Sequence, residues 1–244
     1  MRVYDKIKNT SRPLLAVLID PDKAEISYLE ILSDLLNKNY GDIVMVGGSI
    51  TFRSVDFVLE YLKKKISQPI ILYPGSPLQV SFKADALLFL SLISGRNPEY
   101  LIGHHISVAK QIKDSGIEVI PTGYMLIEGG KISAVEYISN TKPIPSDNIQ
   151  IATATAIAGE LLGMKLIYLE AGSGSKYSVP IEMIRQVKRH IDIPLIVGGG
   201  IKNEKILLDV ARAGANIIVV GTAIENNVFA LANFSEVLKQ EYNV

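Results

Sequence analysis

The chain has 244 residues, no cysteine, and 25 basic against 25 acidic side chains, which gives a formal net charge of zero. This length suits one large α/β domain, and a 48% hydrophobic content indicates a globular protein. The missing cysteines exclude a disulfide framework, a thiolate metal site and a thiol nucleophile. The charge balance predicts no nucleic-acid partner.

The N-terminal segment MRVYDKIKNTSRP has no apolar signal-peptide core. The most apolar stretch, residues 84–94, is well short of the roughly 20 residues that span a bilayer. We therefore expect a cytoplasmic protein without an integral membrane segment, and peripheral contact with a membrane stays open.

Eight short apolar runs predict eight β-strands. Most are continuously apolar, as in strands that are covered on both faces. Amphipathic helical patterns lie between them, with Asn97 and Asn203 as N-caps and Gly116 and Gly214 as stops. The strand runs are 14–20, 42–48, 69–74, 84–93, 118–127, 165–170, 194–200 and 216–222.

This alternation favours an α/β fold, a single (β/α)8 TIM barrel over residues 1–244. A doubly wound sheet is the structural alternative. Only nine residues, GSPLQVSFK, separate Pro74 from Ala84, too few for a full crossover helix with its two turns. We therefore expect the barrel helix after the third strand to be missing, which leaves an apolar gap in the outer wall.

The segment 127–148 is a long connection after the fifth strand, with an amphipathic piece around Val135 to Ile138. Long connections at this end of a barrel tend to be lids or contact elements. We expect one of these roles here.

The ends of strands six to eight are rich in glycine and serine, in YLEAGSGS (168–175), VGGGI and VVGT. Glycine lets the backbone approach an anion, and the loops after strands seven and eight of such barrels often bind phosphate. The alternative is that these glycines only form tight turns. We favour a phosphate cradle because they follow three consecutive strands.

Two acidic residues at strand ends are candidates for chemistry. Asp20 ends the first strand, and we expect Asp22 rather than Asp20 to cap the following helix. Asp20 with the Ser49 hydroxyl and substrate phosphates would form a typical Mg²⁺ environment. Glu170 lies beside the cradle and is positioned to accept a proton from a ligand hydroxyl. The three histidines fall on outer-wall helices, where we expect no catalytic role.

Together these residues resemble the geranylgeranylglyceryl phosphate synthase family, including its bacterial relatives. The resemblance runs from about Pro13 to the last helix. Ile19 precedes the strand-one aspartate where a second branch of the family carries lysine, so the chain is similar to the archaeal-type larger group. The motifs, in order, are LIDPDK, VGGS, NPEYLIG, YLEAGSGS, VGGGI and VVGTAIE.

The resemblance implies a Mg²⁺-dependent prenyltransferase. It would join geranylgeranyl diphosphate to the C3 hydroxyl of sn-glycerol 1-phosphate in ether lipid biosynthesis. Asp20 and Ser49 would hold Mg²⁺, Glu170 would accept the hydroxyl proton, and the protein would form a homo-oligomer, a dimer or a hexamer. The glycerol phosphate site would comprise Tyr168, Leu169, Glu170, Ala171, Gly172, Ser173, Gly174, Gly199, Gly200, Gly221 and Thr222.

The residues are also compatible with other functions. A phosphate-binding barrel lyase or isomerase predicts Asp or Lys pairs on strands one and five, but strand five offers only Thr122 and Tyr124. A non-catalytic barrel would not need Asp20, Ser49 and Glu170 around one mouth. The same prenyl transfer with a different chain length is a further alternative.

Overall fold

The computed structural model describes residues 2–243 as a closed barrel of eight parallel strands in sequence order, with the first strand paired to the eighth. The predicted TIM barrel is confirmed. The strands are β1 Leu14–Ile19, β2 Ile43–Gly48, β3 Ile70–Pro74, β4 Ala86–Leu92, β5 Glu118–Leu126, β6 Leu166–Glu170, β7 Leu195–Gly198 and β8 Ile217–Val220.

Helices surround the barrel, except after β3. There the chain passes through a single 3₁₀ turn, Pro77–Gln79, before it enters β4, so the predicted loss of this helix is confirmed. Another 3₁₀ turn, Pro21–Lys23, follows β1, and a π-helical turn, Glu99–Gly103, directly precedes the helix that begins at His104. The α-helices are α1 Val3–Lys8, α2 Ile26–Asn37, α3 Val55–Lys63, α4 His104–Ser115, α5 Ala134–Ser139, α6 Ile149–Leu161, α7 Ile181–His190, α8 Glu204–Arg212, α9 Thr222–Asn226 and α10 Ala230–Tyr242.

The strands divide their side chains between two apolar layers, because successive residues of a strand point to opposite faces. On β1, Leu14 and Ala16 pack inside the barrel, whereas Leu15 and Val17 pack outward against the helices. The same alternation places Tyr168 and Glu170, two residues apart on β6, on the inner face.

Helix α1 lies against the inner layer at the N-terminal end of the barrel, where Val3 and Ile7 are buried with the inward-facing strand residues. The Glu118 carboxylate at the start of β5 accepts the N–H groups of Val3 and Tyr4 at 2.7 and 2.9 Å. This end is closed, so the opposite mouth is the accessible one.

The long connection after β5 folds over that mouth. The Gly129 carbonyl accepts the N–H groups of Lys176 and Tyr177, at 2.8 and 3.2 Å, which joins this connection to the loop after β6. The amphipathic piece predicted around Val135 to Ile138 is α5, and these two residues face cavities at the mouth. Within residues 2–243, no helix combines the length and the apolar character needed to cross a bilayer.

Candidate active site

A polar cavity opens at the C-terminal mouth of the barrel, between the loops that follow β1, β2, β6, β7 and β8. Most of the residues that the sequence predicted for the site meet there. Its walls include Asp20, Ser49, Glu170, Gly172, Ser173, Gly174, Gly199, Gly200, Gly221 and Thr222. The barrel topology therefore brings together residues that are far apart in the sequence, such as Asp20 and Thr222.

Tyr168, Leu169 and Ala171 belong to the predicted site but do not line this cavity. Tyr168 is fully buried in the barrel interior, one inward position below Glu170. Leu169 packs outward in the layer between strands and helices, and Ala171 is buried in the same layer. Their side chains support the loop from behind, so a ligand would reach only their backbone atoms.

The loops after β6 and β7 use backbone conformations that favour glycine. Gly172 and Gly174 have φ of 94° and 63°, and Gly199 and Gly200 have φ of 81° and 70°. A Cβ on Gly199 would clash with the Glu170 carboxylate and would lie 2.8 Å from the amide nitrogen of Ala171. Bare backbone thus faces the cavity from two neighbouring loops, which is the arrangement an anion such as phosphate requires.

The third loop of the cradle follows β8. Gly221 leads directly into α9, whose first residue is Thr222. The first N–H groups of a helix have no intrahelical acceptor, so those of Thr222 and Ala223 are available to a ligand at this wall. Three adjacent loops therefore offer N–H groups to one space.

Glu170 is the buried carboxylate of this cavity, with 6% of its surface exposed. Its Oε1 accepts the Gly172 N–H at 2.8 Å. Burial raises the pKa of Glu170 to about 7, against a partial lowering by the nearby Tyr168 hydroxyl and the Gly172 N–H. The Tyr168 hydroxyl adjoins the carboxylate but makes no hydrogen bond of good geometry among the described residues. A carboxyl with this pKa can accept or release a proton near neutral pH.

The raised pKa of Glu170 predicts that its ionisation destabilises the fold. The ordinary pKa is 4.5 and the folded value is about 7, so the contribution to stability is full below 4.5 and is lost as the pH rises through about 7. We expect Glu170→Gln to raise the free energy of unfolding by about 3 kcal/mol near pH 8 and by little near pH 4.5. Denaturant unfolding at both pH values measures this difference.

Glu30→Gln on the exposed face of α2 is the matched control for that measurement, because Glu30 is exposed. It should leave the unfolding free energy nearly unchanged at both pH values. An equal effect of Glu170→Gln at the two pH values would contradict the assigned pKa.

Asp20 lies at the opposite wall of the cavity, and its cap differs from the prediction. Its Oδ1 accepts the Asp22 N–H at 3.0 Å, so Asp20 caps the 3₁₀ turn that follows β1. Asp22, which the sequence favoured as the cap, instead accepts the N–H groups of Phe52 and Arg53 at 2.8 and 2.7 Å. The prediction was wrong because a separate turn precedes α2, and Asp22 fixes the loop after β2 instead.

The Asp20 carboxylate has a cationic neighbour in the loop after β1. The Lys23 ammonium lies 3.8 Å from Asp20 Oδ2 and 2.7 Å from Glu225 Oε2. No group of three or more His, Asp or Glu side chains that could hold a metal occurs within residues 2–243. One carboxylate and the Ser49 hydroxyl therefore fit Mg²⁺, which keeps waters and takes further oxygens from phosphates, rather than a metal held by protein ligands alone.

A second, apolar cavity opens where the helix after β3 is missing. Its walls come from the Pro77–Gln79 turn, from β4 and from the inner side of α4, and include Val80, Phe89, Tyr100 and Val108. The predicted gap in the outer wall is therefore a cavity. It shares Gly48, Ser49, Tyr73, Tyr124, Val135 and Ile138 with the polar cavity, so the two spaces meet.

Two histidines, His104 and His105, are on the outer-wall helix α4 as predicted. Both line the apolar cavity, which lies between this helix and β4. The His105 ring packs edge-on against Phe89, with 4.4 Å between ring centroids, and its Nε2 lies 3.3 Å from the Ser91 hydroxyl. Burial lowers the pKa of His105, so the ring is neutral near pH 7.

The sequence did not identify a layer of three tyrosines beneath the polar cavity. Tyr73, Tyr124 and Tyr168 come from β3, β5 and β6, with ring centroids 5.3 to 6.3 Å apart. The two-residue alternation of each strand indicates which tyrosines point into the barrel. Whether these tyrosines lie at the same level also depends on the register between strands, which the sequence of a single strand does not give.

Comparison with known proteins gives a consistent result along nearly the whole chain. The PcrB family matches residues 7–239. The geranylgeranylglyceryl phosphate synthase of Flavobacterium johnsoniae is 47% identical over 90% of this chain and 91% of that protein. The synthase of the same name from Korarchaeum cryptofilum is 42% identical over 97% of both chains.

A solved structure agrees with this family. The (S)-3-O-geranylgeranylglyceryl phosphate synthase of Thermoplasma acidophilum, in complex with its substrate sn-glycerol-1-phosphate, superposes with a TM-score of 0.91 at 34% identity. The match covers 98% of this chain and 99% of that chain. The resemblance inferred from the ordered motifs is confirmed.

Proposed function

Because the chain belongs to the PcrB family, and is therefore a prenyltransferase, we propose that it joins geranylgeranyl diphosphate to the C3 hydroxyl of sn-glycerol 1-phosphate. The products would be geranylgeranylglyceryl phosphate and diphosphate. The observation that carries this proposal is the meeting of a glycine-lined polar cavity and an apolar cavity beside one buried carboxylate, Glu170.

The acceptor would bind in the polar cavity. Its phosphate suits the backbone of the loops after β6, β7 and β8, where Gly172, Gly199 and Gly221 leave no side chain in the way. With the phosphate held there, the glycerol hydroxyls extend towards Glu170. This restricts the attacking oxygen to a small volume and lowers the entropic part of the barrier.

Glu170 would act as the general base. As the C1–O bond of the donor breaks, the electron pair leaves with the diphosphate, and the acceptor O3 forms the new bond to C1. The proton of the O3 hydroxyl passes to the Glu170 carboxylate. The Gly172 N–H at 2.8 Å fixes Oε1, so that Oε2 remains for the substrate.

Asp20 and Ser49 would hold Mg²⁺ at the wall opposite Glu170. When bound, the ion neutralises the charge of the departing diphosphate. Asp20 needs little rearrangement for this, because the Asp22 N–H already orients one of its oxygens. Lys23 is close enough to add positive charge near the same leaving group.

The prenyl chain of the donor would occupy the apolar cavity. Val80, Leu87 and Val108 offer hydrocarbon surface there, and Ser49 belongs to both cavities. A donor bound in this way has its diphosphate near Asp20 and its tail along the wall that lacks a helix. The buried apolar surface of the tail contributes most of its affinity.

The alternative of a barrel lyase or isomerase finds no support in β5. Thr122 is fully buried, and its hydroxyl donates to the Ile120 carbonyl at 2.9 Å. No Asp or Lys side chain of β5 faces the cavity.

Gly198 at the end of β7 gives a test of how Glu170 is positioned. A Cβ at this position would lie 2.5 Å from Glu170 Oε2 and 2.6 Å from the Tyr168 hydroxyl oxygen. We expect Gly198→Ala to displace the carboxylate and to lower turnover by at least roughly tenfold. In a Glu170→Gln background the same change should lower turnover little further. Steady-state kinetics of the wild type, the two single variants and the double variant measure the coupling between the two positions. Additive losses would contradict the explanation.

The predicted homo-oligomer, a dimer or a hexamer, is part of this proposal. The molar mass in solution, by light scattering, distinguishes a monomer from a dimer or hexamer. Cytoplasmic location and peripheral membrane contact remain predictions.

The function is tested by incubating the protein with Mg²⁺, labelled sn-glycerol 1-phosphate and prenyl diphosphates of several lengths, followed by solvent extraction. We expect a labelled ether lipid, formed fastest with the geranylgeranyl donor. The enantiomer sn-glycerol 3-phosphate is the matched control and should give far less product. A folded sample that forms no lipid with any donor would refute the proposal.

A further inference from the structure

Two tyrosine rings lie at the boundary between the polar and the apolar cavity. Tyr73, near the end of β3, and Tyr124, on β5, both line the two cavities. Their ring centroids are 6.3 Å apart and their planes are tilted by 39°. A ligand with one end in each cavity would cross the boundary that these two rings line.

The reacting carbon of the proposed donor belongs at this boundary. Its prenyl chain would lie in the apolar cavity, whereas its diphosphate and the acceptor oxygen would lie in the polar one. When the C1–O bond breaks, positive charge develops on C1 and spreads over the allylic system. The part of the ligand that becomes cationic would therefore be the part beside Tyr73 and Tyr124.

Aromatic rings attract cations through the negative charge of their faces, at distances up to about 6 Å from the ring centroid. Because the two centroids are only 6.3 Å apart, a carbon that contacts both rings lies within this range of each. Burial raises the pKa of both phenols, so the rings are neutral and do not react with the cation as phenolates.

We propose that Tyr73 and Tyr124 are catalytic residues that stabilise the developing allylic cation through their ring faces. This inference rests on the proposed function and adds a role that neither the phosphate cradle nor Glu170 supplies. The rings exchange no atom or electron with the substrate: the leaving electron pair stays on diphosphate, and the proton goes to Glu170.

Tyr168 positions this pair. Its ring centroid is 5.8 Å from that of Tyr73 and 5.3 Å from that of Tyr124. It is fully buried and lines neither cavity, so it contacts the two catalytic rings without reaching the donor carbon. The three rings form a packed layer that limits the movement of Tyr73 and Tyr124.

The test replaces Tyr124 by phenylalanine and then by mono-, di- and trifluorinated phenylalanine, and repeats the series at Tyr73. Fluorine weakens the ring's attraction for a cation while it changes the shape very little. We expect the single-turnover rate to fall stepwise with each fluorine, by about 30-fold over the series, with KM for sn-glycerol 1-phosphate nearly constant. The same series at Tyr61 on α3 is the control and should have no effect.

Phenylalanine and trifluorophenylalanine variants that turn over at equal rates would overturn the inference and leave the proposed function intact. A loss that appears only in KM would also overturn it, since it would assign the rings to ground-state binding. A wild-type protein that forms no product refutes the proposed function and the inference with it. Circular dichroism of each variant confirms folding, and the nearly isosteric series avoids the cavity that Tyr124→Leu would create.

Discussion

Glu170→Gln is expected to reduce turnover by about 10³-fold, within the range of 10² to 10⁴ that general-base catalysis contributes. Gln has the same size and its carbonyl can still accept the Gly172 N–H, but it cannot take the proton of the acceptor hydroxyl. Steady-state kinetics with saturating donor measure the loss in kcat.

The pH dependence of the wild type gives an independent check on this role. The base must be ionised, so kcat/KM for the acceptor should rise with pH and level off above the pKa of about 7. This limb should be absent from the residual activity of Glu170→Gln. A variant with near wild-type turnover, or the same limb in the variant, would assign the base to another group.

Asp20→Asn is expected to lower turnover by about 10²-fold or more and to raise the Mg²⁺ concentration for half-maximal rate by at least tenfold, since charge neutralisation is worth several kcal/mol. Asn keeps an oxygen that can accept the Asp22 N–H, so the 3₁₀ turn should persist. The variant therefore removes a negative charge from the cation site with little disturbance of the fold.

Binding of Mn²⁺ followed by electron paramagnetic resonance, with diphosphate present, measures the site without catalysis. The control is Asp22→Asn, which removes a negative charge two residues away from Asp20. The Asp22 carboxylate accepts the N–H groups of Phe52 and Arg53. It should leave Mn²⁺ affinity within a few-fold of wild type. Equal losses of affinity in the two variants would contradict the assignment to Asp20.

The strands were predictable because each is an apolar run of the right length, bounded by polar or turn residues. The missing helix followed from the nine residues between Pro74 and Ala84. The helix α6 was not singled out, since its Ala, Ile and Thr residues give no clear polar stripe. Chain length and local pattern therefore sufficed for the topology.

The phosphate-binding part of the site was predictable because it is formed by the loops that follow neighbouring strands. Gly172, Gly199 and Gly221 follow consecutive strands, and adjacent strand ends must meet in a barrel. The capping role of Asp20 could not be predicted from the sequence. It falls to Asp20 because Asp22 instead accepts N–H groups from the loop after β2, some 30 residues away. The tyrosine layer depends on strand register, which is a property of the closed barrel.

The structure of the protein bound to sn-glycerol 1-phosphate would show where the acceptor phosphate and its C3 hydroxyl lie relative to Glu170. We expect the phosphate against the backbone of the loops that follow β6, β7 and β8, with the C3 hydroxyl within hydrogen-bond distance of Glu170 Oε2. A phosphate bound outside these three loops, or a C3 hydroxyl that points away from Glu170, would contradict this expectation.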